Sequence, residues 1–96
     1  MKRTTPLNIA IANITLLVGN VIDGYPQIQL RYDQIFDDIL PIVTSELSYL
    51  NWEGDTSNGV ADDLCHGILK SRYHGDKLTT TQVGSALSSA MQAMAL

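Results

Sequence analysis

Four stretches of this chain carry apolar residues at helical spacing, separated by turn-forming residues, and that alternation points to a helical bundle. In the first stretch Leu7, Ala10, Ile11, Ile14, Leu17, Val18 and Val21 follow the i, i+3, i+4, i+7 rule, with Asn8, Ala12, Thr15 and Gly19 opposite. Thr5 and Pro6 form a start signal. Thr accepts a bond from an early helical N–H, and Pro has a preset φ and no donor to satisfy. Leu7, Ile9 and Ile11 also alternate, and β-branched side chains favour strands, so a strand over residues 7–18 is the competing expectation.

Asp23, Gly24, Tyr25 and Pro26 then make a turn. A second apolar face follows in Ile28, Tyr32, Ile35, Phe36, Ile39, Val43, Leu47 and Leu50. Pro41 interrupts it, removing one backbone bond and crowding the turn before it. The expectation is a kinked long helix, or two helices over about 27–39 and 41–51 that meet at an angle. Residues 51–58 read as a loop, and a third helix starts near Ser57 or Asn58 with Val60, Ala61, Leu64, Cys65, Ile68 and Leu69 inward. Asp62 and Asp63 are assigned to the positive N-terminal end of that helix, and Lys70, Arg72 and His74 to its negative end before Gly75. Thr79 with Gln82 offers a capping box for a last helix whose inward residues are Val83, Ala86, Leu87, Ala90, Met91 and Met94. Short connections favour antiparallel neighbours. The expected fold is all-α: one compact domain over residues 1–96, a four- to five-helix bundle with a break or kink at Pro41.

Length and composition agree with this. With 96 residues, 45% of them hydrophobic, the chain can build a core without metal or disulfide staples. Cys65 is the only cysteine, which excludes an internal disulfide and favours a reducing, cytoplasmic setting. Met1, Lys2 and Arg3 ahead of the charge-free residues 4–22 resemble a signal or membrane segment, but Asn8, Asn13, Thr15 and Asn20 interrupt it and no small-x-small cleavage site follows. No membrane association is expected. Residues 78–96 are charge-free as well. The first and last helices are therefore candidates for the centre of the bundle or, because interface cores are depleted of charge, for a homodimer contact.

Chemistry-bearing groupings are sparse. Cys65, His66 and His74 with Asp62 and Asp63 are the only residues with ligand or nucleophile potential. Asp62 and His66, four apart, can meet on one helical face, whereas the adjacent Cys65 and His66 diverge by about 100°. The spacing supplies no set of four convergent zinc ligands. A buried thiol and a surface His66 are expected, with no metal and no cofactor. No phosphate loop, nucleophile elbow or calcium-loop spacing is present, and no residue is nominated for catalysis.

Charge distribution carries the functional expectation. Between Tyr32 and Leu69 the chain places Asp33, Asp37, Asp38, Glu46, Glu53, Asp55, Asp62 and Asp63 without a single Lys or Arg, and its net charge is −4. Such a surface repels polyanions and attracts basic partners, so direct nucleic-acid binding is not expected. Solvated helix faces account for such charges equally well. Tyr32, Tyr49 and Trp52 lie within or beside the segment, and Tyr and Trp are frequent interface anchors. The expected function is therefore a non-enzymatic inhibitor or immunity-type module. Asp33, Asp37, Asp38, Glu46, Tyr49, Trp52, Glu53, Asp55, Asp62 and Asp63 would mask a basic active site or nucleic-acid-binding surface on another protein. The alternative is an assembly subunit that forms homo-oligomers through its charge-poor first or last helix.

Overall fold

The computed structural model describes residues 6–25, 31–48, 50, 56–73 and 77–94. They form four helices, α1 (Pro6–Asp23), α2 (Tyr32–Ser48), α3 (Thr56–Tyr73) and α4 (Thr80–Ala93), with no strand among the described residues. Residues 7–18 are helical, so the strand alternative falls. Each helix packs against the next, and α4 closes the ring on α1, while the diagonal pairs stay apart among the described residues. Tyr25, just after α1, bonds Asp38 while Asn13 within it bonds Glu46, and along α3 and α4 Gly59 meets Met94 while Gly67 meets Ala86, so both of these pairs run antiparallel.

Local signals explain the helix ends. Pro6 is the first residue of α1, a position where its missing N–H costs nothing. After Asp23 the chain turns, with the Gly24 and Tyr25 N–H groups bonded to the Val21 and Ile22 carbonyls at 3.2 and 2.9 Å. Thr79 caps α4 as expected. Its hydroxyl accepts from the Gln82 N–H at 3.2 Å, and the Gln82 side chain accepts from the Thr79 N–H at 3.0 Å.

Three expectations are corrected. α2 runs as one helix from Tyr32 to Ser48 with Pro41 inside it, so the reading of two separate helices does not hold. Pro41 and Asp37 both face solvent, and water can satisfy the Asp37 carbonyl that a residue-41 N–H would have bonded. α3 begins at Thr56, which moves Asp62 and Asp63 out of the first turn, beyond the range where the helix dipole favours them. Finally, neither α1 nor α4 is central. A ring of four has no central helix, and α3 buries most, with Val60, Ala61, Leu64, Cys65, Ile68 and Leu69 all enclosed.

The core is a set of ridges. α1 buries Ala10, Ile14, Val18 and Ile22, and α2 buries Ile35, Ile39, Val43 and Leu47. Both stripes step by four. On a helix of 3.6 residues per turn each step advances about 40°, so a four-step ridge slants away from the 3–4 alternation read from sequence. Leu17 is consequently 42% exposed, and Ile22 takes the buried place. Met94, expected inside, is 39% exposed and touches the Gly59 edge of α3.

Candidate functional site at the α2–α3 face

Tyr32 and Phe36 occupy successive turns of α2 on the flank that meets α3, and His66 of α3 packs between them. The His66 ring lies 4.6 Å from Phe36 and 6.2 Å from Tyr32, stacked on the latter. Its Nδ1 is 3.0 Å from the Tyr32 hydroxyl. Its Nε2 is 3.7 Å from the Asp62 carboxylate one turn earlier, with both side chains 54% exposed. The Asp62 and His66 meeting expected from their spacing is thus present. A carboxylate, an imidazole and a phenol form a chain across two helices at the surface.

Negative charge gathers around this chain. Burial first, then Asp33, Cys65 and Asp62, push the Tyr32 phenol above its usual range. It stays protonated and can donate or accept. Asp33 is exposed in the first turn of α2, and Asp37 follows one turn later on the same flank. No described Lys or Arg pairs with Asp33, Asp37, Asp62 or Asp63.

The other nominated residues disperse. Asp38 lies on the α1 flank of α2, where it accepts a hydrogen bond from the Tyr25 hydroxyl. That bond, followed by burial and the Asp38 charge, raises the Tyr25 phenol, with Arg31 opposing. Glu46 also faces α1 and accepts from the Asn13 amide at 3.2 Å. Asp63 turns to the other side and lines an open groove of about 500 Å³ between α3 and α4 with Ser71, Gln82, Ser85 and Ser89. Tyr49, Trp52, Glu53 and Asp55 lie outside the described residues. The acidic segment is therefore divided into separate faces, and among the described residues Asp33 and Asp62 are the two carboxylates that act on Tyr32, while Asp37 points out to solvent.

Phe36 and His66 were not nominated for this surface from sequence, and Tyr32 stood only as an aromatic beside the acidic run. The available signal was the Asp62 and His66 spacing together with Tyr32 at the edge of the acidic run; the pairing across helices depends on the α2–α3 register, which no local pattern encodes.

Cys65 is fully enclosed beside this site. Burial, with the Asp62 charge adding to it, pushes its thiol from 9.0 to about 12. The neutral thiol is a poor nucleophile and metal ligand. Among the described residues no group of three His, Cys, Asp or Glu side chains is placed to hold a metal ion, and His74 lies outside them. Comparisons with protein-family models, curated proteins and solved structures give no match.

Proposed function

We propose that the chain is a small protein-binding module, of the inhibitor or immunity kind, whose working surface is the α2–α3 face. A basic protein is the partner, and no catalysis is assigned. The observation that carries this reading is the Tyr32–His66–Asp62 chain with Asp33 beside it: ordered aromatic rings flanked by carboxylates that no described cation neutralises. Aromatic side chains supply contact area at low entropic cost, and carboxylates with no Lys or Arg partner among the described residues steer a basic surface onto them. Asp37, exposed one turn after Asp33, and Tyr49, Trp52, Glu53 and Asp55 complete the proposed acidic and aromatic set. A bend in α2 at Pro41 belongs to the proposal, since the missing N–H and the crowded Asp37 carbonyl loosen the solvent side of the helix. The partner's affinity should fall as salt rises. The double substitution Asp33→Lys with Asp62→Lys should weaken binding at least tenfold while circular dichroism stays helical; unchanged affinity would refute the reading.

A second reading, assembly through a charge-poor helix, is favoured by α1, which leaves Ile9, Leu16 and Leu17 exposed. A cytoplasmic site of action goes with both readings.

A further inference from the structure

His66 is the described histidine of the α2–α3 face, and both of its ring nitrogens already have a neighbour. Imidazole side chains change charge between about pH 5 and 8. In the neutral ring one nitrogen is bare and the other carries hydrogen, and here the neighbours select which is which. Nδ1, 3.0 Å from the Tyr32 hydroxyl, accepts the phenol hydrogen, while Nε2 turns its N–H towards Asp62 at 3.7 Å. The phenol keeps that hydrogen, because burial and then the Asp33 charge hold it above its usual range. With its hydrogen committed to His66, the Tyr32 oxygen presents only lone pairs to whatever docks on the face.

We infer that His66 is a proton switch on this face, which admits a basic partner while the ring is neutral and disfavours it once the ring is charged. The inference rests on the α2–α3 face being the working surface and adds its regulation. One proton taken from solvent at Nδ1 has two effects. Nδ1–H must then donate to the phenol oxygen, so the Tyr32 O–H turns outward and puts a donor where lone pairs stood. Lys and Arg side chains are donors only, and they lose an acceptor. The imidazolium also offsets the Asp62 charge beside it, which leaves Asp33 and Asp62 with one net negative charge between them and His66 instead of two.

The ring stays in place in both states. Phe36 has its ring centre 4.6 Å from that of His66 and packs against imidazole and imidazolium alike, the latter through the ring quadrupole. From α2 the histidine meets Tyr32 and Phe36, with Asp33 acting on Tyr32, Asp37 out in solvent and Arg31 turned to Gln34. Along α3 exposed Asp62 stands one turn before it and exposed Lys70 one turn after it. Cys65 is enclosed and neutral, its thiol pushed up to about 12 by burial. Asp63 and Gly67 are on the α4 side. At 54% exposure the His66 side chain exchanges protons with solvent without any opening of the bundle.

The probe is a hexa-arginine peptide at low salt, with its affinity measured at pH 7.5 and 5.5. Affinity should fall about two- to fivefold at the lower pH, the size of one exposed ion pair. His66→Gln, which cannot take up the proton, should bind equally at both pH values, and His74→Gln should keep the fall. In an NMR titration the Tyr32 ring carbons should shift with the same midpoint as the His66 imidazole, because the bond between them reverses. No fall in the unmodified protein, a fall that persists in His66→Gln, or separate midpoints for Tyr32 and His66 overturns this inference alone. Absence of binding at pH 7.5, or binding there that Asp33→Lys with Asp62→Lys leaves unchanged, overturns the reading of the α2–α3 face and this inference with it.

Discussion

The Tyr32 hydroxyl of α2 lies 3.0 Å from Nδ1 of His66 on α3, a side-chain bond that fixes two aromatic rings in place between the helices. Being exposed, it contributes little to stability, about 0.5–1.5 kcal/mol for a typical hydrogen bond. Its effect lies in orientation. Tyr32→Phe should lower the denaturation midpoint only slightly, whereas Tyr32→Ala should also weaken partner binding by about tenfold, as truncation of an interface anchor does. Equal binding by Tyr32→Ala and the unmodified protein would remove the aromatic pair from the surface.

The slanted ridge of α1 separates two residues that look alike in sequence. Ile22→Ala empties an enclosed site and should cost about 2–5 kcal/mol. Leu17→Ala trims a side chain that is already partly in water and should cost under about 1 kcal/mol. Chemical denaturation of the two variants measures the difference, and a larger loss for Leu17 would restore the 3–4 register.

Two helical glycines should respond in opposite ways. A methyl added at Gly19 meets nothing within 4 Å, so Gly19→Ala should stabilise α1 by about 0.5–1 kcal/mol through helix propensity and chain entropy. At Gly67 the same methyl would lie 3.1 Å from the Ala86 Cβ, where α3 packs tightly on α4. Gly67→Ala should show no such gain, because the helices must part to admit it. Thermal melts of both variants decide this, and a full gain at Gly67 would contradict the close approach.

Cys65 sets the alkaline limit. Its folded pKa is raised from 9.0 to about 12, so above 9.0 the unfolded chain releases a proton that the folded chain keeps. The contribution is fully present below 9.0 and is lost as pH climbs towards about 12. Tyr25 and Tyr32, both raised from 10.0, act in the same direction at higher pH. Stability by urea unfolding should fall across this window, and less steeply in Cys65→Ala. A thiol reagent should label Cys65 only under unfolding conditions; rapid labelling of the folded protein would contradict its burial.

Local chemistry was legible in the sequence where a few neighbouring residues decide the outcome. The Thr79 and Gln82 box, the start at Pro6 and the six inward residues of α3 all follow from short-range spacing, and each is present. Register was not. α1 is apolar on so many positions that Leu17 and Ile22 fit an inward face equally well, and the choice falls to the neighbouring helices. The acidic run met the same limit. Asp37 and Asp38 are adjacent in the chain, yet helical phase sends one straight out to solvent and the other to Tyr25, so a segment of one sign became several faces.

The account turns on the α2–α3 face, and one measurement addresses it directly. The unmodified protein and its Asp33→Lys, Asp62→Lys double variant, both confirmed helical, are immobilised and challenged with lysate of the source cells at low and high salt. The prediction is a basic protein, identified by mass spectrometry, that the unmodified chain retains at low salt and releases at high salt, and that the variant does not retain at all. Equal retention by the two proteins, or retention indifferent to salt, would contradict it.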